Sequence, residues 1–354
     1  MLKLKGYADL LRQIREEHEN QSSILDKDSK VLIVDGLNSF IRVFSAVPLV
    51  NDDGEHIGGY VGFLRSIAAV IRQFKPTRCI VVFDGKGGSA RRKKMHSGYK
   101  EGRVMSTRFN RRDDVGEQTV ETELESMKLQ MGKLSEYLQC LPITLLSIDN
   151  IEADDTIAYL TTEIFRPKGS EVIIMSDDKD FIQLVDNKTS VWRPVEKKFY
   201  TPKDVLEKFG IPSHNFIHYK IFMGDGSDNI KGINGIGIKT LQAKFPLLLE
   251  DKRVDLQEIQ EYANTRIDEH KVYKTVVDSK ATMELNWSLM SLENLDISGT
   301  HKMIIADIAN RPIPKLDTFN FKKMIMLDKA YTAITNADSW LQQSFSTLAA
   351  FSER

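Results

Sequence analysis

The sequence predicts an α/β protein in which a mostly parallel central sheet is flanked by helices. Residues 31–34 and 79–83 are short, continuous apolar runs of the kind that form buried strands, and residues 60–74 between them have a helical pattern. A strand, a helix and a second strand in this order form a parallel unit. Residues 172–175 are a third such run and predict another buried strand.

The composition is typical of a globular protein without covalent cross-links. The 354 residues suffice for one large domain or two moderate ones, with 41% hydrophobic and 28% charged residues. Two cysteines, Cys79 and Cys140, favour neither a disulfide framework nor a cysteine-based zinc site. Because the sequence has no apolar run of transmembrane length and no signal-type apolar core, we expect a cytoplasmic protein without a membrane partner.

Residues 1–29 predict a helical lead-in to the sheet. Tyr7, Leu10, Leu11 and Ile14 recur at helical spacing and mark one amphipathic helix. Packing of this helix on the body is the favoured interpretation, and contact with a partner is the alternative.

An aspartate and a glycine follow each of the first two strands, as Asp35-Gly36 and Asp84-Gly85. A single Asp-Gly after a strand is usually a turn. The carboxyl ends of parallel strands meet at one edge of the sheet, where open α/β sheets hold their ligands. Two such pairs in consecutive strands therefore favour a site at that edge.

Two further segments bring carboxylates to the same edge. A helix that begins near residue 152, capped by Asp149 or Asn150, has acids in its first turn, and strand 172–175 leads directly into others. Acids in a first helical turn can simply be partners of the helix dipole. So many carboxylates nevertheless repel one another unless a hard cation such as Mg²⁺, which prefers oxygen ligands, lies between them. The acids of these segments are Glu152, Asp154, Asp155, Asp177, Asp178 and Asp180.

Residues 86–112 are strongly basic, with Glu101 as their single acid. A solvated loop is the ordinary explanation of such a charge run. A basic loop directly after a candidate metal ligand also suits a phosphate-rich polymer, so we favour contact with nucleic acid. Tyr99 could stack on a base. The basic residues are Lys86, Arg91, Arg92, Lys93, Lys94, Lys100, Arg103, Arg108, Arg111 and Arg112.

Residues 201–245 predict a helical module with a glycine-rich turn. Asp225 and Asp228 precede a Gly-x-x-Gly-x-Gly pattern, and a helix begins near Lys239. Glycines let backbone N–H groups approach a ligand closely, and a helix start adds its dipole. Such a hairpin could hold one phosphodiester backbone while the two acids reach the metal edge.

Two patterns elsewhere have competing explanations. His214 and His218 have the i, i+4 spacing of zinc ligands but lack the accompanying Glu or Cys, so we interpret them as ordinary helix residues. The apolar tail over 340–351 either packs on the body or docks into a partner groove. The other predicted elements are a long helix over 121–139, a strand over 143–146, a helix that starts over 181–185, and a short hairpin or edge pair over 191–194 and 198–200. Helices beginning at 201 and spanning 213–223 follow, and then a mostly helical stretch over 246–354.

These motifs, in this order, resemble the flap endonuclease and 5′→3′ exonuclease family in its stand-alone viral form. The family includes the T-even-phage RNase H and the 5′-nuclease domain of bacterial DNA polymerase I. The resemblance covers residues 30–245 and rests on Val34-Asp35-Gly36, Phe83-Asp84-Gly85, Tyr99-Lys100-x-x-Arg103, Glu152-Ala153-Asp154-Asp155, Asp178-Lys179-Asp180, Gly224-Asp225-x-x-Asp228-Asn229 and Gly232-x-x-Gly235-x-Gly237-x-Lys239.

The resemblance implies a PIN-like α/β fold with DNA-binding additions. Glycines at 98 and 102 predict that the family's helical arch is either short in this chain or ordered only on DNA. The implied organisation is a helical lead-in over 1–29, a nuclease core over 30–200 that includes a basic arch over 86–120, a helix–three-turn–helix DNA-binding module over 201–300, and a C-terminal helical tail over 301–354.

The resemblance also implies the ligand and contact residues. Asp177 stands beside Asp178 and leaves open which of the two is a direct ligand. A tighter Mg²⁺ site would use Asp35, Asp84, Glu152, Asp154 and Asp155, and a second would use Asp178, Asp180, Asp225 and Asp228. Mn²⁺ can substitute for Mg²⁺. Lys100 and Arg103 would contact the scissile phosphate, and Arg91, Arg92, Tyr99, Gly232, Gly235, Gly237 and Lys239 would bind DNA.

The implied function is two-metal hydrolysis of phosphodiester bonds near the 5′ end of DNA or RNA–DNA duplexes, with RNase H-like activity. In replication the enzyme would remove RNA primers and flaps. It would act as a monomer, in the host cytoplasm if viral, and could contact a sliding clamp or a single-strand-binding protein. A PIN-type ribonuclease acting on RNA alone is an alternative, which the glycine-rich hairpin disfavours. A non-enzymatic binder of DNA structures is another, which the complete acid set disfavours.

Overall fold

The computed structural model describes residues 26–101, 120–293 and 295–352. The predicted helix near Tyr7 and the predicted phosphate contact Arg103 lie outside these ranges. Six strands form the central sheet: β1 (Lys30–Asp35), β2 (Arg78–Asp84), β3 (Thr144–Ile148), β4 (Glu171–Met175), β5 (Thr189–Arg193) and β6 (Lys198–Tyr200). Their order is β3-β2-β1-β4-β5-β6, with β1 to β5 parallel and β6 antiparallel to β5. The predicted fold class is confirmed.

Helices cover both faces of the sheet and build the second half of the chain. Within the described ranges, no helix combines the length and the apolar character that crossing a membrane requires. The helices are α1 (Gly36–Ala46), α2 (Gly58–Phe74), α3 (Ala90–Met95), α4 (Val120–Gln139), α5 (Ala153–Tyr159), α6 (Pro202–Phe209), α7 (Phe216–Met223), α8 (Ile238–Lys244), α9 (Leu256–Asn264), α10 (Lys271–Asp278), α11 (Lys280–Met290), α12 (Gly299–Asn310), α13 (Thr318–Leu327) and α14 (Ala337–Ser352).

Side chains of the central strands alternate between two hydrophobic layers. Leu32 and Val34 of β1 face the layer that contains α2, whereas Val31 and Ile33 face the layer that contains α5. Both faces of the strand are therefore buried, which explains its continuous apolar run. All the parallel strands point their carboxyl ends to the same edge.

The C-terminal helix α14 packs on the first of these layers. Phe345 and Leu348 are fully buried in the same cluster as Leu64 and Ile67 of α2. Packing on the body is thus the alternative that the structure supports for the apolar tail.

Helices α7 to α11 surround a third hydrophobic cluster, separate from the two layers of the sheet. Phe222 and Phe245 lie in it, and so does Tyr99 from the basic segment. A small hairpin, β7 (Gly224–Asp225) with β8 (Ile230–Lys231), connects this cluster to the sheet edge.

Three elements differ from the sequence-based prediction. Helix α1 was not predicted: it begins at Gly36 with Asp35 as its N-cap, so strand and helix follow one another without a loop. Residues 181–184 belong to a 3₁₀ turn, Asp180–Leu184, and do not start an α-helix, because Val185 already has extended backbone and ends the segment. The predicted helix over 213–223 consists of a 3₁₀ turn, Ser213–Asn215, followed by α7.

Candidate active site

An acidic cavity of about 580 Å³ lies at the carboxyl edge of the sheet. Side chains from the ends of β1, β2 and β4, from the start of α5 and from the β7–β8 hairpin line it, together with Lys100 of the basic segment. Six of the nine predicted metal ligands are among them: Asp35, Asp84, Asp154, Asp178, Asp225 and Asp228. The other three, Glu152, Asp155 and Asp180, lie behind this lining in ion pairs.

Asp35 and Asp84 occupy the ends of neighbouring strands. Asp35 is buried and accepts hydrogen bonds from Ser176 Oγ at 2.8 Å and from the Asn38 amide at 3.2 Å. Burial, and then the charges of Asp178 and Asp84, raise the pKa of Asp35 to about 7. An isolated carboxylate at this position is therefore unfavourable at neutral pH.

Asp84 orients the acidic helix α5. Its Oδ1 accepts a hydrogen bond from the Ala153 amide at 2.8 Å, and Ala153 is the first residue of α5. The predicted caps Asp149 and Asn150 do not fill this role, because the cap position is Glu152 and no side-chain cap bond forms there. An acid from a neighbouring strand satisfies the helix N-terminus instead.

Helix α5 presents Asp154 to the cavity and turns Glu152 and Asp155 toward Arg92. The Arg92 guanidinium donates to Glu152 Oε2 at 2.6 Å and to both Asp155 oxygens at 2.7 and 2.9 Å. Burial raises the pKa of Glu152, but Arg92 and Lys100 outweigh it and hold that pKa below its usual range. Burial, together with Asp178 and Asp35, raises the pKa of Asp154 well above its usual value.

Two predicted DNA contacts, Arg92 and Tyr99, are buried, with exposed fractions of 3% and 2%. The Tyr99 hydroxyl donates to Glu152 Oε2 at 3.1 Å, so its ring is not available to stack on a base. Arg92 is likewise surrounded by protein partners. Both side chains point into the protein and hold the acidic helix in this structure, so their contact with DNA stays a prediction. Arg91 remains half-buried, 3.9 Å from Asp155.

Lys100 projects from the basic segment into the cavity. Its Nζ donates to Glu152 Oε1 at 3.0 Å, and its amide donates to the Asp228 carbonyl at 3.0 Å. Burial lowers the pKa of Lys100, but Glu152 and Asp154 outweigh it and raise that pKa above its usual value. Lys100 is therefore a fixed positive charge at the cavity wall.

Lys220, which the sequence analysis did not single out, neutralises the opposite side. Its Nζ lies 2.6 Å from Asp180 Oδ1 and 2.5 Å from Asp225 Oδ2. Burial and the nearby Asp178 nevertheless raise the pKa of Asp180 to about 7. Burial also raises the pKa of Asp225, but Lys220 and Ser227 outweigh it and lower that pKa to about 2. The signal in the sequence that could have identified Lys220 is that it is the single lysine in the mostly apolar residues 216–223.

The carboxylates of Asp177 and Asp178 have different partners. Asp177 Oδ2 lies 3.4 Å from Arg42 Nε, and its Oδ1 accepts from the Val195 amide at 3.1 Å. Asp178 Oδ1 accepts only a local bond, from the Asp180 amide at 2.8 Å, among the contacts that the structure describes. These partners favour Asp178 as the direct ligand.

The glycines of the predicted hairpin have different roles. A Cβ on Gly232 would lie 2.3 Å from the Phe222 carbonyl oxygen, so this glycine permits close packing of β8 on α7. Gly235 has φ +75°, which favours glycine, and it faces open space, as does Gly237. Lys239 is exposed beside them.

The ordinary interpretation of the two histidines agrees with the structure for His218. Its ring is buried, and Nε2 donates to the Val254 carbonyl at 2.6 Å. Burial lowers the pKa of His218 to about 4.

The donor set fits a hard divalent cation. The cavity offers carboxylate oxygens, the ligands that Mg²⁺ prefers, and burial with mutual repulsion leaves Asp35 and Asp154 without a full counter-charge. In the described part of the chain, no three acidic, His or Cys groups come close enough to enclose a metal ion by themselves. The wide spacing of these carboxylates is compatible with Mg²⁺, which keeps several waters and binds through one or two carboxylates plus substrate phosphates.

Comparisons with known proteins identify a family and relatives for this chain. The family model described as the 5′-3′ exonuclease N-terminal resolvase-like domain matches residues 30–210. A 5′-3′ exonuclease of Aquifex aeolicus is 34% identical over 209 residues, 59% of this chain and 66% of that protein. DNA polymerase I of Bacillus subtilis is 34% identical over 216 residues, 60% of this chain and 22% of that protein.

Solved structures show the same fold. A bacteriophage T5 flap endonuclease, in a complex with DNA and metal ions, has a TM-score of 0.58 and 20% identity, covering 85% of this chain and 99% of that one. The catalytic core of Rad2 in complex with a DNA substrate has a TM-score of 0.53 and 18% identity, covering 90% and 94%. The chain spans just under two thirds of the Aquifex relative and about a fifth of the polymerase.

Proposed function

The chain belongs to the flap endonuclease and 5′→3′ exonuclease family, and from this premise we propose that it is a metal-dependent 5′ nuclease. Its substrates would be DNA and RNA–DNA duplexes with a 5′ end or flap. The supporting observation is that six acids from five chain segments line one cavity together with Lys100. Removal of RNA primers and flaps, with a sliding clamp or single-strand-binding protein as a partner of the monomer, is the wider role that we propose.

The acids divide between two cation positions in this proposal. Asp35, Asp84 and Asp154, backed by Glu152 and Asp155, would hold one divalent ion. Asp178, Asp225 and Asp228, backed by Asp180, would hold the other. When bound, such ions supply an activated water and stabilise the leaving 3′-oxygen.

Lys100 would neutralise charge on the scissile phosphate. Its ammonium is fixed by Glu152, and its backbone is tied to the loop of Asp228, so it faces the cavity in a defined position. Preorganised charge of this kind stabilises a transition state without reorganisation. Arg103, outside the described residues, would act beside it.

The turn after β8, which contains Gly232, Gly235 and Gly237, would bind the duplex backbone. Gly235 and Gly237 face open space, so a phosphate could approach their backbone closely, and the exposed Lys231 and Lys239 lie on either side of this turn, in β8 and α8. This turn directly follows the β7–β8 hairpin, which carries Asp225 and Asp228. A duplex held there would extend toward the cavity.

The test uses a 5′-flap duplex and a nicked RNA–DNA hybrid, each labelled at either end, in Mg²⁺ and then in EDTA. Metal-dependent cuts near the flap junction and short products from the 5′ end would support the proposal. Activity confined to single-stranded RNA would favour a PIN-type ribonuclease instead. Tight binding without cleavage in Mg²⁺ or Mn²⁺ would make the protein a binder of DNA structures.

A further inference from the structure

Helix α11 lies outside the matched family region of residues 30–210. Its C-terminal end, from Asn286 onward, nevertheless contacts Arg92, which holds the acids of α5, the turn that begins at Asp180, and both ends of the loop that carries Asp225 and Asp228. The last carbonyls of an α-helix have no partner within the helix and need one from elsewhere. In α11 the Leu289 and Met290 carbonyls receive theirs from side chains of the cavity region.

The first contact comes from Arg92. Its Nε donates to the Leu289 carbonyl at 2.8 Å, while its other nitrogens hold Glu152 and Asp155. A cation at a helix C-terminus also interacts favourably with the helix dipole. The orientation of the acidic helix α5 is thus tied to α11.

The second contact comes from Gln183, in the 3₁₀ turn that begins at Asp180. Its Nε2 donates to the Met290 carbonyl at 3.1 Å, and its Oε1 accepts from the Leu292 amide at 2.9 Å. Both ends of this buried carboxamide are therefore used to attach the Asp180 turn to the end of α11.

The third contact is made by α11 itself. Asn286 is 2% exposed, and its Nδ2 donates to the Ile221 carbonyl at 3.1 Å and to the Lys231 carbonyl at 2.9 Å. Ile221 and Lys231 flank the loop that carries Asp225 and Asp228. The two bonds hold the two ends of that loop together.

We propose that the C-terminal end of α11 is the common anchor of the cavity, with Asn286 and Gln183 as positioning residues for its acids. The physical basis is that a buried amide bonded to two carbonyls has one favourable orientation, and the carbonyls are costly to leave unpaired. In so far as these acids are cation ligands, the inference rests on the proposed function.

Asn215 provides a matched control for Asn286. It is also a buried asparagine whose Nδ2 bridges two carbonyls, those of Leu248 at 3.3 Å and Lys252 at 2.8 Å. None of the residues that line the cavity is among its partners in the described structure. Asn286→Ala and Asn215→Ala therefore remove the same chemistry at two different places.

The experiment compares the full-length variants by hydrogen exchange and by Mn²⁺ binding. Asn286→Ala should accelerate exchange of the amides in 224–231 about tenfold, and Asn215→Ala should instead accelerate those in 246–254. Mn²⁺ affinity, measured by electron paramagnetic resonance, should fall about tenfold in Asn286→Ala and stay within twofold of wild type in Asn215→Ala. Gln183→Ala should accelerate exchange of the amides in 178–184. If Asn286→Ala does not fold, this second variant tests whether α11 anchors the cavity.

Unchanged exchange of 224–231 in Asn286→Ala would overturn the proposal. Faster exchange with unchanged Mn²⁺ affinity, or an equal loss of affinity in Asn215→Ala, would make Asn286 a structural residue only. The proposed function is tested separately, by cleavage with the wild-type protein. If the wild type cleaves no substrate, the exchange pattern still decides whether α11 anchors these segments.

Discussion

On one side of the cavity Asp35, Asp84 and Asp154 face one another, whereas on the other side Lys220 lies between Asp180 and Asp225. No lysine or arginine pairs directly with these three carboxylates among the ion pairs that the structure describes, since Lys100 is bonded to Glu152 and Arg92 to Asp155 beside them. Repulsion and burial therefore raise the pKa of Asp35 and Asp154, while Lys220 lowers the pKa of Asp225.

If the cavity holds two cations as we propose, this difference predicts that their positions are unequal. The first group has no directly paired counter-charge and should attract a divalent ion strongly. The second group already contains an ammonium, with which an added ion would have to share its ligands. We therefore expect tighter binding at the first position.

The largest expected effect comes from removing one carboxylate on either side. Asp84→Asn and Asp178→Asn should keep the fold and reduce single-turnover cleavage by about 10³-fold or more, because a lost ligand removes charge stabilisation worth several kcal/mol. Asp307→Asn, on exposed α12, is the control. Full activity in either cavity variant would refute the two-cation proposal.

The pH dependence of stability should differ between the sides. The pKa of Asp35 is raised to about 7 in the folded protein, so its stabilising effect is present below pH 4 and is lost as the pH rises through 7. In EDTA, the stability of wild type relative to Asp35→Asn should fall by up to about 4 kcal/mol between pH 4 and pH 8.

Asp225 should behave in the opposite sense. Its folded-state pKa is about 2, so its contribution is present above pH 4 and is lost as the pH falls toward 2. The free energies of unfolding of wild type, Asp35→Asn and Asp225→Asn, measured by urea denaturation across this range, give both slopes. Slopes of the same sign at both positions would contradict the comparison.

Removing the internal cation should destabilise the second side. Lys220→Met leaves Asp180 and Asp225 unpaired in a partly buried site, and we expect a loss of about 3 kcal/mol in EDTA. Part of the loss should be recovered in Mg²⁺, since a divalent ion can replace the ammonium. Lys208→Met, which removes an exposed lysine, is the matched control. An equal loss in both solutions would argue against a cation position there.

The smallest expected effect comes from removing Lys100, one of the lysines that line the cavity. Lys100→Ala should slow single-turnover cleavage about 10²-fold, because Lys100 would face the reacting phosphate in the proposed function, and should change duplex affinity little. Lys94→Ala, on exposed α3 in the same basic segment, serves as the control. A loss of affinity proportional to the loss of rate would instead make Lys100 a tether for DNA.

The strands and their acids could be predicted because their signals are local. The apolar runs ending in Asp35 and Asp84 occupy consecutive residues, and parallel strands necessarily bring such ends to one edge. The glycine pattern that leads to Gly235 and Gly237 is equally local. The order of the strands in the sheet could not be predicted from any local pattern. Strand β4 pairs with β1 although β2 and β3 lie between them in the sequence.

The roles of Arg92 and Tyr99 could not be predicted in the same way. A basic run gives the total charge of a segment, but it does not tell which member turns inward. Arg92 is buried because α11, about 190 residues later, offers a carbonyl beside the acids of α5. Lys220 and Asn286 were missed for the same reason, since Asp180, which pairs with Lys220, and the Lys231 carbonyl, which accepts from Asn286, are distant from them in sequence.

The sequence by itself determined the α/β class, the edge at which the acids collect and the family to which the chain belongs. Only the tertiary structure decided which acids line the cavity and which form ion pairs behind that lining. It also decided that α11 anchors these acids. The physical reason is that periodicity and turns depend on neighbouring residues, whereas the counter-charge of a buried carboxylate depends on which remote segments pack against it.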